Sequence, residues 1–89
     1  MWVQMFSGLR SLETLILSHN LISYIAPSTF SMMASLVELA LNKDKLAHVR
    51  ADVFDGLISL GSLDLSDNSI AELPDKLFTR LRFLRKVYT

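Results

Sequence analysis

Eight positions of a 24-residue period keep one chemical class from row to row of this chain, and that period constrains the fold more than any other feature. Leu12, Leu36, Leu60 and Leu84 begin four rows. Leu15, Leu39, Leu63 and Val87 follow three places on, and Leu17, Leu41 and Leu65 come next. Asn20, Asp44 and Asn68 make a polar column. Two aliphatic columns follow, Ile22, Leu46 and Ile70, then Ile25, Val49 and Leu73. Phe30, Phe54 and Phe78 close the rows, with Phe6 heading their column from a truncated first row. Leu9, Met33, Leu57 and Leu81 complete the pattern. A fixed period of about 20–29 residues with this aliphatic spacing is the signature of a solenoid. An ordinary globular core has no reason to keep eight columns in register. A solenoid normally binds, on a surface that its repeats build jointly.

The columns have a physical reading of their own. In Leu15-Ile16-Leu17, Leu39-Ala40-Leu41 and Leu63-Asp64-Leu65 apolar residues alternate with others, which suits a short strand with one buried face. Strands that recur once per row are reached by crossovers, so they lie parallel. Four of them at roughly 4.8 Å spacing make a sheet about 15 Å wide.

The polar column answers a backbone question. Where each strand ends, the chain bends and its peptide groups leave the ladder. A buried side-chain amide can donate to and accept from those groups at once. Asn20 and Asn68 are expected to do so. Asp44 as a carboxylate can only accept. It therefore leaves a carbonyl unmet, or carries a proton, or sits in a looser turn, and an unmet buried group costs about 1–3 kcal/mol. The middle row is expected to be the weak joint. The phenylalanine column, Phe6, Phe30, Phe54 and Phe78, is expected to stack inside the segments that return from one strand to the next.

These rows resemble the leucine-rich repeat in its 24-residue extracellular form, LxxLxLxxNxLxxLPxxxFxxLxx, from Phe6 to Val87. The chain departs from that pattern at Asp44, where asparagine is usual, and at the proline, which is in place only at Pro74. Pro27 comes one place late and Arg50 stands in the middle row. The resemblance implies an α/β-type solenoid: a right-handed coil, a short parallel β-sheet on its concave face, and irregular or short-helical convex segments. The expected division is a partial repeat 1–11, full repeats 12–35, 36–59 and 60–83, and a partial repeat 84–89, in one uncapped domain. Toll-like receptor ectodomains and the small leucine-rich proteoglycans have repeats of this kind. The resemblance therefore implies a recognition module of a receptor, adhesion or matrix protein at the cell surface or outside the cell, with a protein ligand. The alternative is a mid-solenoid spacer with no ligand contact.

Strand alternation selects the candidate binding residues. If the leucines point inward, one outward column holds Thr14, Glu38, Ser62 and Lys86. The next holds Ile16, Ala40, Asp64 and Tyr88, and a third holds Ser18, Asn42 and Ser66. Most are small or polar. Ile16 and Tyr88 are the sizeable apolar members, and an exposed tyrosine can anchor an interface.

Composition narrows the classes further. Nine basic residues balance nine acidic ones, which argues against a general nucleic-acid or membrane role. The charges are uneven: Arg80, Arg82, Arg85 and Lys86 crowd one end, after Asp64, Asp67, Glu72 and Asp75. Solvated surface with local pairing accounts for that, and an anion or glycan contact is the sharper alternative. No apolar run approaches the roughly 20 residues of a membrane span. Met1 to Phe6 has no basic segment followed by an apolar one, so it does not read as a signal peptide. Asn20, Asn42 and Asn68 lack the Ser or Thr of a glycosylation acceptor. Without cysteine there can be no disulfide-closed caps. The uncapped rows read as an excerpt of a longer protein, prone to self-association through its ends. Catalysis finds little support. Ser18, Ser66, His19 and Asp67 occupy adjacent columns, but His19 and Asp67 lie two coils apart, roughly 10 Å at strand spacing. His48 falls in a return segment, too far from His19 to make a metal pair. Neither a catalytic residue nor a cofactor is expected.

Overall fold

The computed structural model describes residues 10–27 and 29–89. Phe6, and with it most of the partial repeat 1–11, lies outside the described residues. Four three-residue strands form one parallel sheet in chain order: β1 (Thr14–Ile16), β2 (Glu38–Ala40), β3 (Ser62–Asp64) and β4 (Lys86–Tyr88). Register follows the period without a slip. Thr14 pairs with Glu38, Glu38 with Ser62, and Ser62 with Lys86, while the inward Leu15, Leu39, Leu63 and Val87 stand in line.

The sheet is held at its entry by one repeated device. The carbonyl of Glu13 accepts both Val37 N and Glu38 N at 2.8 and 3.0 Å. Val37 O does the same for Gly61 N and Ser62 N, and Gly61 O for Arg85 N and Lys86 N. Each crossover thus docks on the previous coil before its strand begins. The turn that ends each strand also repeats. His19, Lys43 and Asp67, spaced one period apart, all take a left-handed backbone with φ of 57–61°. That region costs a residue with a Cβ roughly 1–2 kcal/mol, so the surrounding bonds must hold the turn there.

Inside the coil, Leu36, Leu39, Leu41, Leu60 and Leu63 are fully buried, with Phe30, Met33 and Leu77 against them. The Phe30 and Phe54 rings stack with centroids 6.0 Å apart and planes 18° apart. The next ring breaks the column. Phe78 is 39% exposed, and Leu77 beside it is fully buried. The cause is local. The return segments after β1 and β2 are built of turns, but the third contains a helix, α1 (Asp75–Arg80). At 3.6 residues per turn, positions four apart share a face. Leu77 and Leu81 are buried there, as Val53 and Leu57 are in the coil before, and Phe78, about 100° round the axis from Leu77, is the member of its row that stays exposed. Pro74 precedes α1, and Asp75 in its first turn complements the helix dipole. Tight packing between return segments also occurs at Gly56, where φ is +95°. A Cβ there would lie 2.6 Å from Ser31 Cα.

Candidate functional site

The polar column joins neighbouring coils, and its geometry runs in one direction. Asn68 sits at the turn after β3. Its Oδ1 accepts Leu46 N at 3.0 Å, and its Nδ2 reaches Leu41 O, Leu65 O and Ser66 O at 2.9, 3.0 and 3.3 Å. It therefore satisfies its own turn and the turn of the coil before. Asp44 does half of this. Its Oδ1 accepts Asn20 N and Ile22 N at 2.8 and 3.1 Å. Its Oδ2 is buried with no hydrogen-bond partner. The carbonyl in register with Leu41 O is Leu17 O, and a carboxylate has no hydrogen for it. Asn20 differs from expectation. It is exposed, and among the described residues its amide nitrogen meets Ser18 O of its own turn, at 3.1 Å.

The outward columns lie on the solvent side of the sheet. Thr14, Glu38 and Lys86 are exposed, as are Ile16 and Tyr88, while Ala40, Ser62 and Asp64 are half-buried. The third column is half-buried and largely occupied with its own bonds. Ser18 Oγ donates to Asn42 Oδ1 one coil away. Ser66 donates to Asp64 Oδ1 from both N and Oγ, at 3.0 and 2.6 Å. These two contacts fix the Asp64 side chain, which no reading of residue spacing foresees.

Across β2, β3 and β4 the outward face dips. A depression of ≈ 270 Å³ is lined by Glu38, Ala40, Ser62, Asp64, Lys86 and Tyr88, with Leu39 at its base. All six of those outward residues belong to the first two candidate columns. Thr14, Ile16, Ser18, Asn42 and Ser66 lie outside it. The dip comes from side-chain size: Ala40 and Ser62 stand short between longer neighbours. A second depression of ≈ 240 Å³ lies at the far side of the last full coil, where Leu65, Asn68, Ile70 and Leu73 meet Thr89. There Ile70 and Leu73 are half-buried, whereas Leu46 and Val49 in the same columns are buried.

Among the described residues no group of three His, Cys, Asp or Glu side chains is placed to hold a metal ion. No helix among them is long and apolar enough to cross a membrane. His19 lies in its left-handed turn and is exposed, and His48 is exposed in the return segment after β2.

Comparison with protein families gives a match to the family described as leucine rich repeat, over residues 3–46 and 34–88. No curated protein matches the chain.

Proposed function

This chain belongs to the leucine-rich repeat family, and on that premise we propose that it recognises a protein ligand through the outward face of β1–β4. Repeats of this family are generally protein–protein interaction modules, typically without enzymatic activity. The observation that carries the reading is the depression across β2, β3 and β4, framed by Glu38, Asp64 and Lys86, which form no ion pair among the described residues, and by the exposed Tyr88 ring. We take the coil to be right-handed, as parallel crossovers almost always are, and its sheet to be the concave side. We further read the subtype as the extracellular 24-residue one and the parent as a receptor, adhesion or matrix protein at the cell surface. The column pattern and Pro74 support that assignment. The balance of nine basic and nine acidic residues supports a protein partner over a nucleic acid.

The spacer reading has one observation in its favour. Ser18, Asn42 and Ser66 spend their polar groups on bonds within the chain, so that column offers a partner less. Self-association through the coil face that Ile70 and Leu73 leave half exposed is also part of the proposal.

Site-specific photo-crosslinking tests the recognition reading. A photoreactive residue replaces Ala40 on the sheet face or Lys76 on α1, in the full-length protein and its own cells. The proposal requires a discrete protein adduct from position 40 that is absent from position 76. Adducts from position 76 alone, or equally from both, would overturn it.

A further inference from the structure

We propose that the depression between β2 and β4 receives the guanidinium of an arginine on the partner protein. This rests on the recognition reading above and names the chemistry at its centre.

Shape comes first. Ala40 and Ser62 leave space above the sheet, and the exposed Glu38, Lys86 and Tyr88 stand round it. Ala40, Asp64 and Tyr88 are successive partners across β2, β3 and β4, so the Asp64 carboxyl lies between the open space and the ring. Glu38, Ser62 and Lys86 form the parallel row beside it. Glu38 and Lys86 are thus two strand spacings apart, roughly 10 Å.

Charge and preorganisation select the occupant. Ser66 N and Ser66 Oγ both bind Asp64 Oδ1, at 3.0 and 2.6 Å. That fixes the carboxyl group and leaves Oδ2 with no bond among the described residues. Glu38 and Lys86 form no ion pair among the described residues either; the pair that does form, Arg50–Asp52, lies elsewhere. Two carboxyl groups and one ammonium frame the space, so a cation is favoured over an anion on the Glu38 side. A held acceptor with its partner lobe free costs little entropy to engage. A guanidinium has five donors in a planar fork and can reach two separate carboxylates at once. An ammonium on a flexible stem matches that spacing less well. Lys86 opposes the cation, and its effect has a definite sign. Removing its charge must tighten a cationic probe, where a site for acidic groups would lose affinity.

The test uses N-acetyl-arginine methylamide as the probe, titrated into the whole chain while backbone amide shifts are followed by NMR. The lysine and glutamate analogues serve as comparators. We expect saturable shifts confined to the neighbourhood of Ser62, Asp64 and Ser66, strongest for arginine. Asp64→Asn keeps the acceptor for Ser66 and removes the charge, and it should weaken the probe about fivefold. Glu38→Gln, at an exposed position, should weaken it about twofold, and Lys86→Met should tighten it about twofold. The proposal is overturned if shifts fail to saturate, if the glutamate analogue binds better, or if Asp64→Asn leaves the titration unchanged. A crosslink from position 40 without arginine binding would overturn this inference and leave the recognition reading intact. Arginine binding with no crosslink from position 40 would overturn the recognition reading and, with it, the assignment of that arginine to a partner protein.

Discussion

Replacing Asp44 by asparagine should stabilise the protein, although position 44 is buried and sits in the middle coil. Asparagine keeps Oδ1 in place for Asn20 N and Ile22 N, now at 2.8 and 3.1 Å. It replaces the partnerless Oδ2 with an amide nitrogen, which at Asn68 reaches the previous strand end, Leu41 O, at 2.9 Å. Relief of the unmet acceptor is worth about 1–3 kcal/mol, and a new bond to Leu17 O about 1 kcal/mol. Bonds to a charged acceptor are stronger than to a neutral one, so the two Oδ1 bonds together lose about 2 kcal/mol. The net gain is about 1 kcal/mol. For a domain of this size that raises the thermal midpoint by about 4–8 °C. Circular dichroism during thermal and urea unfolding measures it, and an unchanged urea slope would show that the folded state is what changed. A midpoint that stays put or falls would refute the idea that Asp44 is the weak member of the column. The mirror change, Asn68→Asp, should cost about 1–3 kcal/mol, because it removes a donor that serves three carbonyls.

Gly56→Ala should destabilise by roughly 2–5 kcal/mol in the same unfolding assay, since the new Cβ meets Ser31 backbone at 2.6 Å on a left-handed φ of +95°. Leu21, 71% exposed with φ of +58°, carries the opposite sign: Leu21→Gly should add about 1 kcal/mol by urea melt, because no buried contact is lost. Phe54→Ala should cost about 3–5 kcal/mol and Phe78→Ala clearly less, which paired melting curves would show, because one ring is buried and the other is 39% exposed. Ile70→Glu should shift sedimentation velocity profiles toward monomer if the half-exposed coil face mediates self-association.

The strand register was legible because it depends on a count. Parallel pairing of equivalent residues is the direct consequence of a constant period, and Thr14, Glu38, Ser62 and Lys86 align accordingly. The outward placement of Ile16, Asp64 and Tyr88 follows from alternation alone. Phe78 was not legible, because column position says nothing about helical phase. The third return segment carries a helix, and there Leu77 is buried as Thr29 and Val53 are in its column, while Phe78 is 39% exposed where Phe30 and Phe54 are buried. The exposure of Asn20 is not legible because the column looks symmetric in sequence, whereas among the described residues the bonds of Asp44 and Asn68 that join coils run toward the preceding coil. The locked carboxyl of Asp64 arises from the Asp64–Ser66 pair, and Ala40 and Asn42, which hold those columns in the coil before, carry no such pair to signal it. Gly56 carries no repeat signal either: Met32 and Arg80 hold the same column, so the close approach to Ser31 is particular to one pair of coils.

The most direct test of recognition through the sheet face is the affinity of the partner crosslinked from position 40 for four alanine variants, Ile16→Ala, Glu38→Ala, Asp64→Ala and Tyr88→Ala, measured by calorimetry in the full-length protein. The account predicts a loss of more than about 1 kcal/mol at two or more of them, with Glu38 and Asp64 among the sensitive positions. Unchanged affinity at all four would contradict it and leave these coils as spacers.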